Sequence, residues 1–175
     1  MRPVPACAGF TLIEVLVALF VVALGFAGVA GVQAMALRSG REAAHLADGL
    51  QLAASLAERM RANPAAMALA DAANPYLQLD FDAAAADPPA AAPCFGDGAC
   101  GNAELAQFDL MEVTSDLAAR FPGGRILACR DAAGASSWTC DAQPGAPIVI
   151  KLGWREHGET AAPPRVLLPV AGGGV

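Results

Sequence analysis

The sequence predicts an α+β protein: one long N-terminal helix, with a transmembrane half and an amphipathic half, packed on a small antiparallel β-sheet head. Three observations predict it. An apolar run reaches from Phe10 to Leu37, longer than the ~20 residues a membrane-spanning helix needs. Beyond it, apolar positions recur at helical spacing as far as Met60. The last third of the chain changes to period-two alternation, interrupted by glycine and proline.

The apolar run carries one charge near its start, Glu14, and no other until Arg38. An ionisable side chain inside a membrane-length helix costs a few kcal/mol, so it points to a role. A secretory signal peptide would need a short apolar core and a small-residue cleavage site behind it; this run is too long. A lipoprotein signal, suggested loosely by Val4-Pro5-Ala6-Cys7, would need its apolar run before the cysteine, and here it follows. A membrane helix behind a short leader remains. Gly25, Gly28, Gly31 and Gly40 each weaken the helix by ~1 kcal/mol relative to alanine. They serve either close helix packing in a membrane or local stretching in an assembly; both readings stand.

Past Leu37 the pattern becomes amphipathic. Leu46, Leu50, Ala53, Ala57 and Met60 repeat at three or four, while Arg41, His45, Asp48 and Arg59 fall largely on the other side. Asn63-Pro64 ends the helix, because a residue before proline is pushed out of the α region. Residues 64–101 read as an irregular loop with a low-complexity stretch, Ala83–Pro93. Its Asp80, Asp82, Asp87 and Asp97 lack the spacing of a calcium loop and read as a solvated acidic surface. Asn102 is placed to cap a second helix running to about Arg120, with Leu110, Val113, Leu117 and Phe121 on its apolar face. Pro122-Gly123-Gly124 stops it. Ile126–Cys129 reads as a short strand. Ile148, Ile150, Leu152 and Trp154 alternate with Val149, Lys151, Gly153 and Arg155, as in a half-buried strand. A turn at His157-Gly158-Glu159 brings Val166-Leu167-Leu168 back before Pro169, and Gly172-Gly173-Gly174 carries no ordering signal.

Charge and cysteines narrow the function. The formal charge is −6 over 175 residues, with a single lysine and scattered arginines. That disfavours nucleic-acid binding, which needs clustered cations. Cys7 lies ahead of the apolar run. Cys94, Cys100, Cys129 and Cys140 form an even set beyond it, as expected of disulfides in an oxidising compartment. Four cysteines allow three pairings, and the two local ones, Cys94 with Cys100 and Cys129 with Cys140, are favoured. A zinc site is the alternative, disfavoured by the absence of CxxC spacing and of nearby histidines. No metal, cofactor or catalytic residue is expected: His45 and His157 accompany no nucleophile signature, and no phosphate-binding loop or paired-carboxylate motif stands out.

The segment Gly9-Phe10-Thr11-Leu12-Ile13-Glu14, followed by Val15–Gly28 without a polar residue, resembles the class III leader motif of type IV pilins and pseudopilins. Leu56–Pro64, Leu105–Gly124 and Val149–Trp154 are similar to segments of PilV-type minor pilins, the type IV pilus modification proteins; the tryptophan such proteins lead one to expect near Val113 is absent. The resemblance implies a leader of residues 1–9, a transmembrane and assembly helix over 10–37, its amphipathic continuation over 38–63 and a periplasmic head over 64–175. It implies that a prepilin peptidase cuts between Gly9 and Phe10 and that the new Phe10 amine is methylated. Glycine leaves a protease site unobstructed. The freed amine, largely protonated near its pKa of ~7.7–8.0, can be neutralised by a neighbour's Glu14, a pairing that fixes register more than it stabilises. The alternative for Glu14 is simple snorkelling to the membrane surface. The implied partners are other minor pilins, the major pilin and the assembly platform of a bacterial inner membrane. The implied destination is a pilus, at its tip. Expected alternatives are a minor pseudopilin of type II secretion or, in another class, a tip-displayed adhesin or DNA-binding module.

Overall fold

The computed structural model describes residues 9–95, 99–143, 145–156, 159–160 and 163–170. The calls on Cys7, Asp97, His157-Gly158 and the glycine tail lie outside the described residues. The chain divides into two compact units, Met1–Ala43 and Ala44–Val175. Helix α1 covers Leu12–Ala62. The first unit holds α1 as far as Ala43; the second, the head, holds the remainder of α1 and every later element.

Two Asn-Pro pairs shape the chain after α1. Asn63 follows its last residue, and the Asn63 side chain accepts a hydrogen bond from Ala66 N at 3.3 Å, starting the short helix α2 (Pro64–Met67). Asn74 repeats the device, accepting from Tyr76 N at 3.0 Å at the start of a 3-10 turn over Pro75–Gln78. In both, proline occupies a first helical position, where its missing N–H costs nothing. The segment 64–101 is therefore not wholly irregular. It also contributes strand β1, Asp80–Asp82, whose alternation is too brief to register in the sequence. Helix α3 spans Asn102–Arg120, and its N-cap is Gly101 rather than Asn102: the Glu104 carboxylate reaches back to accept from Gly101 N at 2.7 Å. Gly123, at φ +54°, then turns the chain in a conformation glycine adopts without strain.

Strands β1, β2 (Arg125–Arg130), β3 (Ile148–Gly153) and β4 (Val166–Val170) form one antiparallel sheet in that order. Its inner face carries Ile126, Ala128, Ile148, Ile150, Leu152 and Val166. These pack with Leu52, Ala53, Leu56, Ala57 and Met60 of α1 and with Ala106, Val113 and Leu117 of α3. β4 extends through Pro169 to Val170. Leu152 C=O accepts from Arg165 N, and Leu152, Ile150 and Ile148 face Val166, Leu168 and Val170 across the ladder. Pro169 thus falls at an alternate position on an edge strand, where a missing N–H is tolerated.

Of the stripe the spacing suggests, Ala53, Ala57 and Met60 are buried as expected, but its first two positions are not. Leu46 and Leu50 are exposed, at 48% and 49%, whereas Gly49, Leu52 and Leu56 are buried. The reason is bulk. A Cβ on Gly49 would lie 2.8 Å from the Trp154 ring and 3.3 Å from Leu152, so glycine is what lets the helix meet the sheet there. His45 and Arg59 also belong to the packed side. His45 lies edge-on to Phe121, with ring centroids 6.0 Å apart, and 6.2 Å from Trp154. β3 is buried on both faces, not one. The second face is covered by the segment between β2 and β3.

Candidate functional site

The chemistry singled out by the sequence sits at the start of α1. Gly9 and Phe10 are exposed and non-helical. The Thr11 carbonyl accepts from Glu14 N at 3.1 Å and Val15 N at 3.4 Å, so Thr11 holds the N-cap position and Glu14 the first turn. A carboxylate there is favoured by the unsatisfied N–H groups of the helix end. The Glu14 side chain has no hydrogen-bond or ion-pair partner among the described residues. Phe10, just ahead of the helix, lines one shallow surface with Glu14, Val15, Ala18, Leu19 and Val22. Along the apolar stretch the best membrane-length window has mean hydropathy 2.7, and none of it is buried within the chain. Side chains added at Gly25, Gly28, Gly31 or Gly40 would meet nothing. The segment is long and apolar enough to cross a membrane.

The head is fastened by two polar constructions that sequence reasoning missed. In the first, Arg59 of α1 donates to Asp109 Oδ1 at 2.8 Å and pairs with Glu112 at 2.6 Å, while the Tyr76 hydroxyl donates to Asp109 Oδ2 at 2.6 Å. Asn63 Nδ2 donates to Asn102 O at 2.7 Å. Burial first, then the hydrogen bond to Asp109, pushes the Tyr76 hydroxyl far above its usual pKa. For Arg59, burial works against the charge, but the bonds to Asp109 and Glu112 outweigh it and the pKa is raised.

In the second, Lys151 on the outer face of β3 is wholly buried. Its ammonium donates to the carbonyls of Ala135, Ser137 and Thr139 at 3.2, 2.9 and 2.8 Å and lies 2.6 Å from Asp131 Oδ2. Asp131 Oδ1 accepts from Ala133 N and Asp141 N at 3.2 and 3.1 Å. The Lys151 contact, ahead of burial acting the other way, and these two N–H groups hold the Asp131 carboxyl below its ordinary value. One cation thus organises the whole segment 131–141. Its sequence signal was a lone lysine at an alternating strand position, which also fits an exposed residue.

Disulfides join Cys94 to Cys100 and Cys129 to Cys140. Cys129 points to the outer face of β2, so the second bridge anchors the same segment that Lys151 holds. Each closes a short loop, contributing about 2–3 kcal/mol. Of the acidic residues weighed for calcium, Asp80 takes a two-pronged bond from Arg125 at 3.0 Å, and Asp82 Oδ1 accepts from Ala84 N at 2.9 Å. Among the described residues no group of three or more His, Cys, Asp or Glu side chains is gathered.

A helix of membrane-crossing length with one carboxylate at its head thus continues into an α+β domain. The family description "Prokaryotic N-terminal methylation motif" matches residues 5–30, and "Type IV pilin Tt1218" matches residues 31–111. Together the two matches run over residues 5–111 and support a type IV pilin. Neither a curated protein nor a solved structure matches it.

Proposed function

We propose that the protein is a minor pilin, made with a leader of residues 1–9 and cut between Gly9 and Phe10 by a prepilin peptidase that methylates the Phe10 amine. Residues 10–37 then hold it in the inner membrane, with the head in the periplasm. From there it enters a type IV pilus, helping to start assembly in a tip complex with other minor pilins. The role is structural and needs no cofactor. The observation that carries this reading is the apolar half of α1: its membrane-length window is unburied, and its one charge near the start, Glu14, has no partner among the described residues. Such a surface requires lipid or the helices of other subunits, and a carboxylate in lipid requires a cation. Glu14 would meet the Phe10 amine of a neighbouring subunit. The exposed, non-helical Gly9–Phe10 bond is consistent with cleavage.

The test is piliation of a deletion strain complemented with the wild-type chain or with Glu14→Ala. Few or no pili are expected without the gene, recovery with the wild type, and no recovery with Glu14→Ala at equal membrane abundance. Normal piliation in the deletion strain removes the initiating role; full recovery by Glu14→Ala removes Glu14 from the mechanism.

A further inference from the structure

Seven of the eight cationic side chains between residues 44 and 170 have a carboxylate partner. Arg59 pairs with Asp109 and Glu112, Arg61 with Glu58, Arg120 with Asp48, Arg125 with Asp80, Arg130 with Asp71, Lys151 with Asp131, and Arg165 with Glu156 and Glu159. Arg155 is the exception among the described residues. Its main-chain N–H donates to Pro122 O at 3.0 Å, and its side chain has neither ion pair nor hydrogen bond there. In so acidic a head, an unpaired guanidinium is conspicuous.

It is also half-buried. Arg155 lines a cleft of about 90 Å³ together with Trp138, Trp154, Arg125, Gly123 and Asp82. Two glycines open the cleft. Gly123 has no side chain, so the stem of Arg155 lies where its Cβ would be, 2.9 Å from Arg155 Cδ. A Cβ at Gly153 would come within 3.1 Å of Trp138. Arg125 is committed already, bonded to Asp80 and stacked 4.7 Å above the Trp138 ring. The Asp82 carboxylate, at the cleft wall, accepts from Ala84 N. The cleft thus offers one unpaired guanidinium beside aromatic walls, with the Asp82 carboxylate at its edge, in a space the size of a single side chain.

We propose that this cleft is a binding site for a short carboxylate-bearing group. A guanidinium prefers carboxylates because its planar fork matches both oxygens, and charge-assisted bonds of this type strengthen when water is displaced. The volume excludes a nucleotide or an oligosaccharide. Two sources share this chemistry: a glutamate or aspartate side chain presented by another protein, and a small free carboxylate. The inference does not depend on the filament role.

Both tryptophans of the chain line the cleft, so intrinsic fluorescence of the full-length protein in detergent micelles reads this site without a label. The probes are N-acetylglutamate N-methylamide, its glutamine and lysine counterparts, and acetate. A saturable emission change is expected with the glutamate derivative and not with the glutamine or lysine ones. Arg155→Gln should weaken it by about tenfold or more, the loss expected for one charged hydrogen bond; Arg155→Lys should retain part of it. Tighter binding of the capped glutamate than of acetate assigns a protein side chain as the ligand; the reverse assigns a free carboxylate. The absence of saturation, an equal response to the glutamine derivative, or undiminished binding by Arg155→Gln overturns the proposal. If the unliganded emission shows that Arg155→Gln disturbs the fold, the glutamate-to-glutamine contrast on the wild type decides.

Discussion

Gly9 and Glu14 differ in what their neighbours in the chain require of them. Among the described residues nothing crowds Gly9: a Cβ added there would meet no atom within 4 Å. Any loss caused by a side chain at this position therefore arises outside the folded chain. Gly9→Val should leave expression and head stability unchanged and block leader removal, seen as full-length precursor on a gel. Normal processing of that variant overturns the proposed cleavage site. Lys151 and Asp131 are the opposite case, because each is sealed inside the head. Removing one partner of a buried pair leaves the other uncompensated, at a cost of about 3–5 kcal/mol. Asp131→Asn should lower the unfolding temperature of the head markedly at pH 7. The folded carboxyl titrates below its ordinary value of 3.8, so between the two values the unfolded state binds more protons. The pair's contribution is therefore complete above about pH 4 and is lost as pH falls through the folded value. The gap between wild type and Asp131→Asn should narrow from pH 5 to pH 3 in thermal melts.

At the scale of elements, α1 does two jobs with one geometry. Its first part is apolar on every side and unburied; its last part has a narrow buried stripe. Gly49 sits where helix and sheet come closest. Gly49→Val forces either the Trp154 ring or the helix to move, and overpacking of this kind costs about 1–3 kcal/mol. The expected result is a lower unfolding temperature for Gly49→Val, with no such loss for Gly40→Ala, where the added group meets nothing. Equal stability of Gly49→Val and wild type contradicts this close approach. The same residue explains why the stripe could not be read correctly from hydrophobicity. Leu46 and Leu50 fit a helical repeat as well as Leu52 and Leu56 do, and only the bulk of Trp154 decides which row turns inward. β3 shows a related limit. Alternation marks Ile148, Ile150 and Leu152 as an inner face, yet nothing local reveals that Val149, Lys151 and Gly153 are covered too. Their cover comes from residues 131–141, brought over the sheet by Cys129–Cys140 and the Lys151 ammonium.

At the scale of the whole molecule, the two units use their residues differently. Among the described residues the head pairs nearly all its cations and holds buried polar groups internally: Asp109 by Arg59 and Tyr76, the Thr114 hydroxyl by Leu110 O at 2.7 Å, and Asp131 Oδ2 by its ion contact with Lys151 alone. It consequently has its own core and its own staples. The apolar half of α1 has none of these, and its stability depends on surroundings the chain does not supply. The sequence by itself determined the long helix, its lone carboxylate and the α+β order of the head, because each is written in spacing a few residues long; the cysteine pairing it narrowed to three possibilities, with the local one favoured. Only the tertiary structure decided that His45 and Arg59 face the head, that Lys151 is buried, that β1 joins the sheet, and that Arg155, beside two tryptophans, has no partner among the described residues. Those outcomes depend on which distant residues arrive at the same place, and the free energy of burying a charge or a ring is set by what meets it there.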